Sequence, residues 1–320
     1  MRKRTMAVHR WTRYAIQVAF FVLAPGLFSG AFNGVKYLFA QIGAVQGMES
    51  NSFVVLLIVT VAFTVLFGRF FCGYACAFGT LGDILFHAFD YLRSKTPVPR
   101  LKLPLPLVRA LSLVKYGVLV GVCAACVFGV WQGVSGMSPW VAFAGFTSGS
   151  LDGIQAVAFV LLGLVVVGMI LRERFFCQFL CPMGAVFSLL PVLGFSEFTR
   201  RRQHCAKKCG RCQETCPVDI WPDADTLVHG ECVACGRCAD ACPLANVNLV
   251  ALQKGEAGEE TADPKPLRKT KETWHLLRGT ETGVVAAKAL VLFAVCWVVG
   301  STRFVPSFTD VFGQGVWPFW

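Results

Sequence analysis

The amino-acid sequence predicts an all-α polytopic membrane protein of about five transmembrane helices, with a small polar α+β domain inserted ahead of the last helix. Three observations predict it. The chain of 320 residues is 55% hydrophobic and 15% charged, with a mean hydropathy of +0.58, whereas soluble domains are about 45–50% apolar and about 25% charged. Its apolar residues fall in five continuous, non-alternating stretches. Its net charge of +11 is spread unevenly over the segments between them.

A helix needs about 17–25 mostly apolar residues to cross a bilayer, and backbone groups in lipid must be satisfied internally. Residues 14–30, 53–68, 107–130, 154–171 and 284–300 meet this description. The first stretch, with a basic start and Ser29-Gly30-Ala31 at its end, also fits a cleaved signal peptide. Short loops rich in Lys and Arg stay on the cytoplasmic side. Residues 1–13, 69–109 and 172–278 are rich in both, whereas 31–52, 131–153 and the tail after Ser301 hold only Lys36 and Arg303. The alternation places the N-terminus inside and the C-terminus outside. Lys115 and Lys288 lie near inner ends of spans, where a long side chain can snorkel to the interface. Between positions 200 and 282, 13 Lys and Arg stand against 12 Asp and Glu, so +10 of the +11 belongs to the membrane part. That charge is topology, not a nucleic-acid footprint.

An internal repeat follows two of the spans. Arg69-Phe70-Phe71-Cys72, with Cys76 and Gly79, matches Arg174-Phe175-Phe176-Cys177, with Cys181 and Gly184. Each copy follows a span running from outside to inside, so the halves are parallel repeats with their cysteine pairs toward the cytoplasm. On a helix, positions i and i+4 share a face, so each Cys-x3-Cys presents two sulfurs to one centre, and two copies supply four. Cys72, Cys76, Cys177 and Cys181 are thus candidate redox or cluster thiols, the alternative being packing of reduced thiols among phenylalanines.

The polar insert carries the strongest signal. Cys205-x3-Cys209-x2-Cys212-x3-Cys216-Pro217 precedes Cys232-x2-Cys235-x2-Cys238-x3-Cys242-Pro243. The second is the bacterial ferredoxin run unaltered, and the first has one extra residue. In such pairs the cysteine before proline ligates the other cluster. This assigns Cys205, Cys209, Cys212 and Cys242 to one [4Fe-4S] cluster, and Cys232, Cys235, Cys238 and Cys216 to a second. The insert is therefore read as a two-cluster, bacterial-ferredoxin-like α+β domain. A zinc ribbon also pairs cysteines, but zinc has no use for Cys-Pro at the end of both motifs. Cys123, Cys126 and Cys296 lie inside spans and read as packing residues. None of the five histidines is deep in a span, so a bis-histidine haem is not expected. Asp83 and His87, an i,i+4 pair, read as a polar interface face or, less simply, as groups that bind a quinone or carry its protons.

The domains expected are residues 1–200, a membrane domain with four spans and both Cys-x3-Cys motifs; 201–250, the two-cluster domain; 251–282, a charged linker; and 283–320, the fifth span and an outer tail.

These residues resemble the NapH/NosR type of membrane polyferredoxins, whose hallmarks are cytoplasmic Cys-x3-Cys-Pro motifs after transmembrane helices and a two-cluster module downstream. Cys177-Gln178-Phe179-Leu180-Cys181-Pro182 and both ferredoxin motifs carry the match, which covers about residues 53–242. The chain departs from the pattern at Ala77 in place of proline, at the extra residue after Cys205, and in having a fifth span. The resemblance implies an iron–sulfur electron carrier of the inner (cytoplasmic) membrane, multi-pass, with its cluster domain in the cytoplasm. Electrons would pass between the quinone pool or a cytoplasmic donor and an extracytoplasmic reductase or flavoprotein, as in a quinol dehydrogenase subunit. The cofactors implied are two [4Fe-4S] clusters, with a further iron–sulfur centre and quinone as candidates; the partners are membrane, quinone and that outer protein, and no nucleic acid. The alternative is a redox-dependent assembly or regulatory factor for an outer metalloenzyme.

Overall fold

The computed structural model describes residues 2–45, 52–93, 95, 104–149, 153–191, 197–200, 209–220, 230–242, 247–250 and 271–301. Helix α1 (Arg2–Leu23) turns into α2 (Leu27–Ala44), and α3 (Ser52–Phe67) leads through a π-helical turn (Phe71–Ala75) into α4 (Ala77–Arg93). The order then repeats. Helices α5 (Leu105–Ser112), α6 (Val114–Val127), α7 (Trp131–Val134) and α8 (Pro139–Ser148) precede α9 (Ala156–Leu171), a second π turn (Phe176–Leu180) and α10 (Pro182–Leu189). The cysteine-rich segment contributes β1 (Glu197–Arg200), α11 (Arg211–Glu214), α12 (Arg237–Ala241) and β2 (Val247–Val250), and α13 (Lys271–Ser301) closes the described chain.

Two expectations are corrected. Among the described residues, two helical segments rather than five are long and apolar enough to cross a membrane, Pro106–Val127 and Glu281–Val299; a third arises if the bent pair His9–Leu23 and Leu27–Ala44 is one span. The physical reasons are local. The expected span 14–30 runs across Pro25, which cannot donate to a helix ladder and clashes with the preceding turn; α1 ends at Leu23 and the chain bends by 63°. Helix α3 stops where Gly68 takes φ of 70°, and α9 stops where Arg172 turns extended and Arg174 takes φ of 57°. Each is 16 residues long, about 24 Å at 1.5 Å per residue, against a hydrocarbon core of about 30 Å.

The second correction concerns the insert, whose described residues form no α+β domain. Its described residues are loops with the one-turn helices α11 and α12. The only ladder among the described residues pairs β1 with β2 antiparallel, Glu197 opposite Val250 and Arg200 opposite Val247. One ladder of four residues is too small to stand as a sheet with a core of its own. The segment is instead seated on the helices. Cys205 and the charged linker as far as residue 270 lie outside the described residues, as does the tail from 302.

Helix α2 packs on α3 and α6, α1 on α13 and the first π turn, and α4 and α8 on α9. Phe28, Phe32, Phe78, Phe176 and Phe187 are buried at the centre. Val18, Val22, Ile58, Val120, Leu164 and Leu290 point outward. Apolar helices with apolar outer faces belong in a membrane, and the chain is a membrane-associated protein.

Candidate metal centre

The two π turns shape the site. In the first, the Cys76 N–H donates to the Phe71 carbonyl at 2.9 Å; in the second, the Cys181 N–H donates to the Phe176 carbonyl at 2.8 Å. These five-residue bonds widen the turn, and π bulges of this kind are frequent at functional sites. Cys76 and Cys181 are extended (ψ of 121° and 114°) and stand immediately before α4 and α10. Each therefore caps a helix. The Gly184 N–H donates to Cys181 Sγ at 3.2 Å, and the Gly79 N–H does the same to Cys76. Face-sharing on one α-helix is thus not how the pairs are presented, because the π turn divides each pair between two elements. Ala77 begins α4 as Pro182 begins α10, so the missing proline does not alter the layout: proline at a first helical position is favourable but not required.

The four thiols nevertheless converge. Cys72, Cys76, Cys177 and Cys181 are all buried. Cys76 is near Cys177 and Cys72, and Cys181 is near Cys177, Cys72 and Cys76. Burial, and then mutual repulsion, push the Cys76 and Cys181 thiols up; burial raises Cys177 as well, although Arg174 partly offsets it. Among the described residues no three His, Cys, Asp or Glu are grouped so as to hold a single metal ion.

Two arginines flank the group. Arg174 Nε and Nη2 donate to Asp83 Oδ1 and Oδ2 at 2.8 and 2.6 Å. Its Nη2 also reaches the Gly73 carbonyl at 3.2 Å, and its Nη1 the Cys72 carbonyl. Gln17 Nε2 donates to Asp83 Oδ2 at 2.8 Å and to the Gly73 carbonyl at 2.9 Å. Burial alone would raise the Asp83 pKa; Arg174 and Arg237 outweigh it and hold the carboxyl below the ordinary carboxylate range. Asp83 and His87 therefore do not act as a pair: His87 Nε2 lies 2.9 Å from Arg237 Nη2 and 3.8 Å from Glu173 Oε1. Sequence reasoning missed the Asp83–Arg174 bond. The available signal was an acid immediately after one cysteine pair and an arginine immediately before the other.

The cysteine segment stands directly on this group. Cys216 is near Cys235 and Cys232, and Cys238 is near Cys235, Cys232, Cys216 and Cys212. Burial pushes Cys216 and Cys238 up before any neighbour acts, and N–H groups of Ile220 and Val218 donate to Cys216. Cys209 and Cys242 are half-buried, and Cys205, their expected companion, lies outside the described residues. The loop after Gly230 rests on the first π turn. A Cβ on Gly73 would collide with the Val233 carbonyl oxygen, and Tyr74 Oη donates to the Cys235 carbonyl at 3.4 Å. The loop after Cys216 rests on the second turn, where Gln178, the counterpart of Gly73, donates to the Val218 carbonyl at 3.0 Å. Polar contacts surround the seat: the ion pairs Arg69–Glu231 at 3.1 Å, Lys115–Glu231, Arg172–Asp219 and Arg237–Glu173, and a hydrogen bond between His9 Nδ1 and Asp240 Oδ2 at 3.0 Å. Lys115 is buried and pairs with Glu231.

Of the four buried thiols, Cys76, Cys177 and Cys181 have raised pKa values and remain protonated unless a cation displaces the protons. Arg69 is buried, and its Nε and Nη2 have no oxygen acceptor, so the donor set and these N–H groups both fit an anionic thiolate cluster. Comparison with known proteins agrees. The 4Fe-4S binding domain family matches residues 52–99 and 154–196, one match per repeat. The chain is 31% identical to protein NirI of Paracoccus denitrificans over 166 residues, 51% of this chain and 23% of NirI. It is 27% identical to the regulatory protein NosR of Pseudomonas aeruginosa over 173 residues, 53% of this chain and 23% of NosR. With the methylamine utilization ferredoxin-type protein MauN of Methylobacillus flagellatus it shares 25% identity over 230 residues, 68% of this chain and 77% of MauN. These relatives bear out the resemblance to the NapH/NosR kind, although the match spans less than a quarter of the length of NirI and NosR. No solved structure matches.

Proposed function

We propose that the chain is a one-electron relay of the inner membrane, passing electrons between the quinone pool or a cytoplasmic donor and an extracytoplasmic reductase or flavoprotein. The observation that carries this reading is the seating of the Cys232–Cys238 loop on the π turn that holds Cys72. In this reading Cys232, Cys235, Cys238 and Cys216 hold one [4Fe-4S] cluster, and Cys205, Cys209, Cys212 and Cys242 another. Cys72, Cys76, Cys177 and Cys181 hold a further iron–sulfur centre. Bound clusters supply reversible one-electron storage.

The protein supplies the rest. Phe71, Phe78, Phe176 and Phe187 are nearly inaccessible and keep water from the four thiols. Gly79 and Gly184 direct N–H groups at sulfur, an interaction that tunes cluster potential. The ion pairs around the seat hold the segment against the membrane part, and the distribution of Lys and Arg supports a cytoplasmic position for that side. The domain plan keeps residues 201–250 as the cluster-bearing segment between membrane parts 1–200 and 283–320.

The regulatory title of NosR favours a second reading, a redox-dependent factor serving an outer metalloenzyme. Turnover separates the two. Purified full chain in detergent is expected to oxidise a quinol, or a low-potential dye, continuously with an artificial acceptor present. A single cluster-equivalent of oxidation without turnover contradicts the relay and supports the factor.

A further inference from the structure

The arginines that open the two repeats cross over. Arg174, from the second copy, donates to the Cys72 carbonyl of the first and occupies the place where a Cβ on Gly79 would stand. Arg69, from the first copy, has Nη2 3.0 Å from the place of a Cβ on Gly184, beside the Cys177 carbonyl oxygen at 3.0 Å and Cys181 Cβ at 3.4 Å. The two crevices are equivalent in the repeat, and glycine leaves room for a guanidinium in both.

The counter-charges are not equivalent. Arg174 is matched within the membrane part by Asp83, both of them almost wholly inaccessible. Arg69 finds its acid on the docked segment: Nη1 reaches Glu231 Oε2 and the Gly230 carbonyl, each at 3.1 Å. Glu231 is shared with Lys115 and adjoins Cys232. The other two groups of Arg69, Nε and Nη2, are buried with no oxygen acceptor, and the guanidinium meets the Cys72 thiol and faces Cys181. A buried guanidinium with unsatisfied N–H groups is costly unless an anion answers it.

We propose that both arginines counter-charge the four-cysteine centre, and that Arg69, shared with Glu231, makes the reduction potential of that centre depend on the seating of the cysteine segment. The inference rests on the assignment of an iron–sulfur centre to Cys72, Cys76, Cys177 and Cys181. A positive charge beside a centre favours its reduced, more negative form. Glu231 offsets part of that charge while the segment is seated; when it lifts away, Arg69 acts in full and the centre becomes easier to reduce. Reduction of the four-cysteine centre would thereby be favoured by undocking and its re-oxidation by docking.

The test is a potentiometric EPR titration of the anaerobic full-length protein, following the signal that is lost in the Cys72→Ser, Cys177→Ser double variant. Arg69→Gln is expected to lower the midpoint of that signal and Glu231→Gln to raise it, with iron content unchanged in both. Shifts in the same direction, or no shift at full iron content, overturn the proposal, because a purely structural role would disturb the centre alike in both variants. Should Arg69→Gln not fold, the half-exposed Glu231→Gln still decides the sign. If the wild type has no signal sensitive to the double variant, the assignment of the centre has failed, and that outcome is distinct from failure of the coupling.

Discussion

Replacing Cys72 and Cys177 together by serine is expected to remove about four of about twelve irons per chain, leaving the complement of two [4Fe-4S] clusters. The effect should be all-or-none, since the two residues come from different repeats and each supplies one side of a single group of four thiols. Iron and acid-labile sulfide assayed anaerobically, with EPR of the reduced protein, measure it directly. Serine is close in size to cysteine, and both positions are enclosed by phenylalanines, so the helices should keep their fold. Unchanged iron in the double variant would leave the four thiols as packing residues, the alternative that the sequence itself left open.

The second large effect is on stability. Asp83→Leu is expected to destabilise the protein by about 3–5 kcal/mol, the usual result of stripping one partner from a buried ion pair. The loss is severe because Arg174 also holds the Cys72 and Gly73 carbonyls, so an unpaired charge would disturb the π turn itself. Combining it with Arg174→Met should recover much of the loss, since an apolar pair avoids the buried charge. Thermal unfolding in detergent is the measurement. The pH dependence has a definite sign. Asp83 has a folded pKa below its ordinary value, so its contribution is complete above the unfolded pKa of about 4. It disappears as acid carries the pH down through the depressed folded pKa. Equal acid sensitivity in wild type and the double variant would contradict this.

Much of the site was legible in the sequence and rather less of the fold. The Arg-Phe-Phe-Cys repeat and its two cysteine pairs identified four residues that the structure brings together, because the repeat records a structural equivalence. The π turns left no periodic trace: five residues are too few to set a period. Hydropathy carried the first expected span across Pro25, since a window of apolar residues does not register a missing N–H. It likewise counted α3 and α9 as full spans although each is only 16 residues long, short of the hydrocarbon core. The insert was read as a domain of its own because its motifs match a freestanding arrangement. Its actual support, Arg69 with Glu231 and Gln178 with Val218, joins residues far apart in the chain, and charge composition alone does not pair them. Glu231 and Gly73 would have passed as loop residues.

The measurement that tests the relay most directly is the EPR spectrum of the fully reduced full-length protein, recorded for wild type and for Gly73→Val. A side chain at position 73 has no room beneath the Val233 carbonyl, so it must lift the loop that carries Cys232, Cys235 and Cys238. In wild type the signal of the four-cysteine centre is expected to be broadened by coupling to the centre seated above it, and Gly73→Val is expected to sharpen it at the same iron content. A wild-type spectrum that is the simple sum of uncoupled centres, unchanged by Gly73→Val, would contradict the relay.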